Sequence, residues 1–305
     1  MIGGPQPSHL GEFRSPPGGR TRIAPTPSGY LHAGNALNFL ITHHIAREAG
    51  ATVLLRIDDL DAERVRQEYL EDIFETLAWL GIKPDQGPQD PTSHFRNWSQ
   101  QRRLARYQEL AEALRAGGHL YGCTCSRRGR ELLRHEGRST CRCRDRTGDL
   151  DDPQAAWRLR VPKDRLVVVR SLFGTDISAD LFAVMPDPVL RQRATNGSFA
   201  RPAYQLASLA DDVDQGITLI VRGQDLWPST VCQVYLADLL GMTSFQEVRF
   251  VHHPLLRDQA GNKLSKSEGA LSVRAMRIRG ADPDELRAMA DAMLARIEGK
   301  AGSGA

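Results

Sequence analysis

Two short segments, far apart in the chain, carry groups suited to phosphate chemistry. Pro27-Ser28-Gly29-Tyr30-Leu31-His32-Ala33-Gly34-Asn35 places a turn just ahead of an expected helix. Backbone amides and the positive end of the dipole at such a helix start can hold phosphate oxygens. His32 can donate a hydrogen bond there, and Gly34 lets a ligand approach the backbone. Later, Lys263-Leu264-Ser265-Lys266-Ser267 supplies two mobile cations flanked by hydroxyls and by Gly269. Preorganised cations of this kind suit the charge that develops on a leaving pyrophosphate. Alone, a Pro-Ser-Gly turn commonly precedes a helix and a Lys-Ser loop is commonly just solvated. The pair is the specific signal.

A third cluster is suited to metal. Four of the five cysteines form Cys123-Thr124-Cys125 and Cys141-Arg142-Cys143, about 18 residues apart, which could give a tetrahedral four-sulfur zinc site. His135 is a weaker candidate ligand, and the competing view is a metal-free, arginine-rich loop. Eight arginines fall between Arg127 and Arg146; they form either a solvated basic face or contacts to RNA phosphates. Cys232, on an expected helix, reads as core.

The elements that must position these groups follow from hydrophobic periodicity. Thr21–Pro25 reads as a strand entering the loop. Leu37, Leu40, Ile41 and Ile45 have helical spacing up to Gly50, and Thr52–Ile57 is a continuous apolar run of the kind found in buried parallel strands. Strand, loop, helix and strand in this order make a βαβ unit. Helices are expected over 69–80, 101–115 and 228–240, and strands over 156–160, 166–169, 217–221 and 248–251.

With 305 residues, 41% hydrophobic and 25% charged, the chain can bury a full core, and its net charge of +3 permits an anionic partner without requiring one. No run of about 18 apolar residues suggests a membrane span. The first 20 residues, rich in Pro, Gly and Ser and without an apolar stretch, read as a flexible tail. Glu298–Ala305 reads as frayed.

The two phosphate-suited segments resemble the HIGH and KMSKS signatures of class I aminoacyl-tRNA synthetases. Arg22-Ile23-Ala24-Pro25-Thr26-Pro27-Ser28-Gly29-Tyr30-Leu31-His32 is similar to the glutamyl-tRNA synthetase pattern R-F-A-P-S-P-T-G-x-L-H, and Leu55-Arg56-Ile57-Asp58-Asp59-Leu60-Asp61 resembles L-R-I-E-D-T-D. Ala203-Tyr204-Gln205-Leu206-Ala207, Asp211-Asp212 and Val221-Arg222-Gly223-Gln224-Asp225-Leu226 extend the similarity, which runs from about residue 21 to residue 271. Within the family the chain most resembles the branch of glutamyl-queuosine tRNA(Asp) synthetases. Ser267 stands 38 residues before the last position, so a large anticodon-reading domain is not expected after it.

The resemblance implies an α/β fold, a Rossmann-like parallel sheet split by an inserted acceptor-binding, zinc-holding subdomain and lacking an anticodon-binding domain. The implied divisions are a tail (1–20), a first catalytic half (21–120), the insert (121–186), a second half with the lysine loop (187–275) and a short C-terminal helix (276–305). His32, Lys263 and Lys266 would be catalytic, with Gly34, Asn35, Ser265 and Ser267 on ATP. Arg22 and Arg222 would take the glutamate side-chain carboxylate, as the guanidinium fork suits such a group. Asp58, helped by Thr26, would take the α-ammonium, with Ala24 and Tyr204 completing the pocket. Two departures stand out: Asp58 is one methylene shorter than the family's Glu, and Asn35 replaces the second His of HIGH. Cys123, Cys125 and one of Cys141 or Cys143 match the family's zinc ligands, and the remaining cysteine stands for a tyrosine. Implied partners are ATP with Mg2+, glutamate, structural Zn2+ and tRNA(Asp) carrying queuosine, for a cytoplasmic monomer. Alternatives are a trimmed ligase charging another tRNA or a small molecule, and a non-catalytic tRNA-binding module.

Overall fold

The computed structural model describes residues 19–146, 148–194, 200–255 and 272–302. The lysine loop, with Lys263, Ser265, Lys266 and Ser267, lies outside the described residues, as does most of the expected N-terminal tail. The chain opens with β1 (Arg20–Ile23), α1 (Ala33–Glu48), β2 (Thr52–Leu55), α2 (Gln67–Trp79), the single turn α3 (Pro91–Ser93) and α4 (Leu104–Ala116). Next come β3 (Leu120–Cys123), α5 (Arg127–His135), β4 (Ala156–Leu159), β5 (Leu166–Val169), β6 (Ile177–Asp180), α6 (Leu181–Val184) and β7 (Val189–Arg191). The last stretch holds α7 (Tyr204–Asp214), β8 (Leu219–Gly223), α8 (Trp227–Leu239), α9 (Thr243–Gln246), β9 (Arg249–His253), α10 (Val273–Ile278) and α11 (Asp284–Gly302).

Two parallel strand pairs make the central layer. β1 pairs with β2, Arg20 opposite Thr52, and β8 pairs with β9, Leu219 opposite Arg249. The pairs join edge to edge where Thr218 N–H donates to the Arg20 carbonyl at 2.9 Å. Isolated bridges add Gln86 beside Leu54 and Ser171 beside Phe250 at the two rims. The spatial order β2-β1-β8-β9 reverses direction between β1 and β8, and open parallel sheets bind ligands at such a switch point, beyond the strand carboxyl ends. β2 and most of β8 are apolar runs, as expected of parallel strands covered on both faces. α1 buries Leu37, Phe39, Ile41 and Ile45 in one core cluster, shared with β1, β2, α2 and Leu286, Ala290 and Leu294 of α11.

Between the two halves lies an antiparallel sheet, β3-β4-β7, with the hairpin β5-β6 beside it. Val189–Arg191 falls on the far side of the expected boundary at 186/187, yet it pairs with β4, Val189 opposite Arg158, so the inserted sheet draws its third strand from beyond that point. Trp157 of β4 is fully buried in the second core cluster, between the Arg191 guanidinium at 3.7 Å and that of Arg115 at 5.4 Å from its ring. Such cation–aromatic contacts let an indole core sit beneath a basic surface. The expected helix over 101–115 begins as a 3-10 turn, Gln100–Arg103, before α4 proper. Among the described residues, no helix is long and apolar enough to cross a membrane.

The rim beside β2 depends on a close backbone approach. Gln86 accepts from the Leu55 N–H at 2.9 Å, and the next residue, Gly87, sits at φ +109° with its Cβ direction only 2.2 Å from the Leu55 carbonyl oxygen. Gly87→Ala is expected to cost about 2–4 kcal/mol in denaturant unfolding, from strain plus clash. Gly50→Ala, also at positive φ but facing open space, should cost about 1 kcal/mol. Equal losses for the two would argue against the close approach.

Candidate active site

The turn from β1 into α1 opens a cavity of about 300 Å³ at the β1–β8 switch point. Ala24, Thr26, His32, Gly34 and Asn35 line one side, and Arg222, Asp225 and His253 the other. Asn35, which differs from the family pattern, serves the local structure. Its Oδ1 accepts from the His32 N–H at 3.1 Å and so fixes the start of α1. Gly34 leaves room for the His32 imidazole, because a Cβ there would lie 3.0 Å from the ring. His253 holds the opposite wall through Nε2, 3.0 Å from Asn38 Oδ1.

A second cavity, about 250 Å³, is lined by Thr26, Asp58, Gln100, Arg201 and Tyr204. The two cavities share Thr26 and meet there. Together they bring Ala24, Thr26, His32, Gly34, Asn35, Asp58, Tyr204 and Arg222 into one cleft; Arg22 lies directly beneath, and the lysine-loop residues fall outside the described chain.

Beneath the cleft is a buried ionic network centred on Asp212 of α7, which is 0% exposed. Asp212 Oδ1 accepts from Arg22 Nε at 3.0 Å and from Arg56 at 2.6 Å, and its Oδ2 lies 3.9 Å from Arg222 Nη2. Arg56 also donates through Nε to Asp58 at 2.7 Å, so Asp58 stands in the cavity wall while engaged from behind. Three guanidiniums thus face two carboxylates in a site shielded from water. Arg222 donates to Gln233 Oε1 at 2.9 Å and to Thr230 at 3.2 Å, but its Nε and Nη2 have no hydrogen-bond partner.

The electrostatics follow from these distances. Burial disfavours the Asp212 charge, but Arg56, Arg22 and Arg222 outweigh it and hold the carboxyl below its usual range. Burial pushes Asp58 upward against the attraction of Arg56. Burial also opposes the charge on Arg56, yet Asp212 and Asp58 overcome this and raise its pKa well above the ordinary value. Arg222 goes the other way: burial, which Tyr204 and Asp212 only partly offset, lowers its pKa. Arg222 is a buried cation short of negative charge.

Asp212 and Arg56 were absent from the expected site residues. Their signal was present as an arginine directly after the apolar β2 strand and as an Asp-Asp pair within a helix. The neighbouring Asp211 serves a separate network: its carboxylate accepts from Gln100 at 2.8 Å, Arg103 at 2.5 Å and the Tyr107 hydroxyl at 2.8 Å.

In the insert, the four expected sulfurs converge. Cys123, Cys125, Cys141 and Cys143 place their Sγ atoms within 4.8 Å of one another, with Cys123–Cys141 and Cys125–Cys143 both at 3.6 Å. The set is a candidate metal centre, with cysteine in the fourth position; the exposed His135 is not part of it. Hydrogen bonding from Cys123 pushes the Cys141 thiol down to about 4, while burial pushes Cys125 up to about 11. Cys232 is fully buried in α8, as expected of core.

His252 on β9 gives a pH test of this region. It lies 5.0 Å edge-on from Trp227, with Nε2 2.8 Å from Thr230 Oγ1. Burial, then the charge of Arg222, lowers its pKa from 6.5 to about 3. Between those values the unfolded chain binds more protons than the folded one, so this contribution is complete above pH 6.5 and is lost as pH falls toward 3. His252→Gln is expected to flatten the fall in unfolding free energy across that window by up to about 1.4 kcal/mol per pH unit. Parallel slopes in the two proteins would rule this contribution out.

Residues 19–298 match the family described as tRNA synthetases class I (E and Q), catalytic domain. A glutamate–tRNA ligase of Dinoroseobacter shibae is 37% identical over 276 residues, covering 86% of this chain but 58% of that protein. The chain thus spans little more than half the length of such relatives. Proteins named glutamyl-Q tRNA(Asp) synthetase from Burkholderia cenocepacia and Nitratidesulfovibrio vulgaris are 39% and 36% identical, covering 84% and 86% of this chain and 83% and 82% of their own lengths. A crystal structure of glutamate-tRNA synthetase from Elizabethkingia anophelis superposes with a TM-score of 0.64 at 24% identity, covering 86% of this chain and 54% of that one, which shows a shared fold. The chain belongs to the class I tRNA synthetases of the E and Q type, whose catalytic domain it matches over nearly its whole length.

Proposed function

We propose that this protein is a ligase that activates glutamate with ATP and passes the glutamyl group to the queuosine base of tRNA(Asp). The observation that carries the activation step is Arg222, a buried guanidinium in the lining of the cavity at the β1–β8 switch point, with Nε and Nη2 making no hydrogen bond and its nearest carboxylate oxygen 3.9 Å away. A buried cation of this kind is costly unless an anion meets it, and a substrate carboxylate fits its fork. Arg22, held by Asp212, adds charge from below. Asp58, Thr26 and Tyr204 offer the polar wall for the substrate ammonium; a carboxylate has lone pairs enough to accept from both Arg56 and an ammonium.

In the proposed reaction an α-carboxylate oxygen of glutamate attacks the α-phosphorus of magnesium-bound ATP. The bond to the bridging oxygen breaks and pyrophosphate leaves, giving glutamyl-adenylate. A hydroxyl on the RNA then attacks the activated carbonyl and AMP departs, leaving a glutamyl ester. Catalysis is positioning and charge stabilisation. His32, Gly34 and Asn35 at the start of α1, with Lys263, Ser265, Lys266 and Ser267, would hold the phosphates. The relatives named for glutamyl-Q tRNA(Asp) support queuosine-bearing tRNA(Asp) as the acceptor. The four sulfurs suit zinc as a structural ion, since Zn–S bonds of about 2.3 Å in a tetrahedron put sulfurs about 3.8 Å apart.

Glutamate-dependent ATP–pyrophosphate exchange without RNA is expected to be positive. Arg222→Gln should lower kcat/KM for glutamate at least about 100-fold, with KM for ATP little changed. No exchange with any amino acid, or better exchange with aspartate, would overturn the activation chemistry or its substrate. Labelled glutamate should pass to queuosine-containing tRNA(Asp) and not to the unmodified tRNA; transfer to another acceptor would select the trimmed-ligase alternative. Metal analysis should find about one zinc per chain, lost in a Cys141→Ser, Cys143→Ser pair. Full zinc in that pair would exclude the four-sulfur site.

A further inference from the structure

One face of the inserted sheet carries a guanidinium that the chemistry above does not use. β3 and β4 set Tyr121 opposite Arg158 and Cys123 opposite Ala156. Strand alternation therefore puts Tyr121, Cys123 and Arg158 on one face, while Trp157 and Leu159 turn into the core. Arg158 is only 7% exposed, and its Nε has no hydrogen-bond partner. The carboxylate on this side, Asp187, is engaged on both oxygens: Oδ1 accepts from Arg144 and from the Val161 N–H, and Oδ2 accepts from the Tyr121 hydroxyl at 2.9 Å.

Beside Arg158 is a small cavity of about 20 Å³, lined also by Arg130, Arg138, Ser139, Thr140 and Cys141. It has room for a group about the size of a water, such as one oxygen of a phosphate whose remainder stays at the mouth, and not for a nucleotide. Three arginines and two hydroxyl residues are among its lining, side-chain types that suit a tetrahedral oxyanion. The exposed Arg128, Arg142 and Arg146 continue the same basic segment along the surface, the footprint of a polyanion rather than of a lone ion.

We propose that this pocket takes a phosphate group of the RNA backbone, anchoring the acceptor on the insert. The proposal rests on RNA being the acceptor and adds the place where it is gripped. Arg158 is the buried anchor and Arg138 the exposed rim.

The test uses the full chain and queuosine-bearing tRNA(Asp) as probe, with affinity measured across a salt series. Exchange activity and metal content are read on the same preparations. Arg158→Gln is expected to weaken tRNA about tenfold and to reduce the slope of log K against log salt by about one, with exchange and metal unchanged. Arg138→Gln, at an exposed position, should act in the same direction without threatening the fold. Arg158→Lys should keep the salt slope while losing part of the affinity, since it keeps the charge but not the fork.

Unchanged affinity and slope in both Gln variants would overturn the pocket. So would loss of metal in Arg158→Gln with tRNA binding intact, which would make Arg158 a counter-charge to the thiolates. Inorganic phosphate titrated into both proteins separates the sources. Phosphate bound by the wild type and lost in Arg158→Gln, with tRNA affinity unchanged, would assign the pocket to the free ion. Exchange in a protein that binds no tRNA would overturn acceptor and pocket together. Arg158-dependent tRNA binding without exchange would sink the activation chemistry and leave the pocket standing.

Discussion

A single carboxylate, Asp212, fixes the geometry on which the cleft depends. It holds guanidiniums that arrive from three strands of the central layer: Arg22 from β1, Arg56 from the end of β2 and Arg222 from β8. Placing five charges where water is excluded costs free energy, and such a cluster persists only when hydrogen bonds satisfy most of its atoms. Here the atoms left without a hydrogen bond are Asp212 Oδ2 and Nε and Nη2 of Arg222, and Arg222 is the member of the cluster that lines the cavity at the switch point. The excess positive charge is thereby aimed where an anionic substrate would complete it.

Much of this was legible in the chain. The βαβ start, the phosphate-suited turn at His32 and the paired cysteines each have a local pattern whose physical reason operates within a few residues. Arg222 and Tyr204 could be named because they sit in recognisable motifs. The part that was not legible is pairwise and long-range. Arg56 meets Asp212 across 156 positions of sequence, and no periodicity announces which buried arginine will face which buried aspartate. Asp58 shows the same limit: its residue type suggested an ammonium partner, but only the fold reveals that Arg56 already holds it from behind. The third strand of the inserted sheet, Val189–Arg191, was not among the expected strands for a related reason, since strand pairing is decided by neighbours that the linear pattern does not name.

The sheet of the insert sends Trp157, Leu159 and Val161 into the main core, but its cysteine-bearing side is organised around chemistry more than apolar burial. Tyr121, Cys123 and Cys141 form only a small buried cluster, with Leu133, Cys125 and Cys143 packed beside it. The segment carrying Arg127 to Arg146 is polar and cationic, so four sulfurs, the Asp187 contacts and cation–aromatic stacking do the ordering that a larger core does elsewhere. A basic surface can then be held in shape without the self-repulsion that would loosen it.

Adjacent residues on α7 face different structures. Asp212 points to the arginines under the cleft, and Asp211 to Gln100, Arg103 and Tyr107 on the neighbouring scaffold. Consecutive helical residues project about 100° apart, so the two carboxylates act like two teeth on one shaft. Any rotation of α7 that re-aims one tooth must disengage the other. The helix is therefore indexed rather than free to turn, its angular setting fixed at the substrate end and at α4 together.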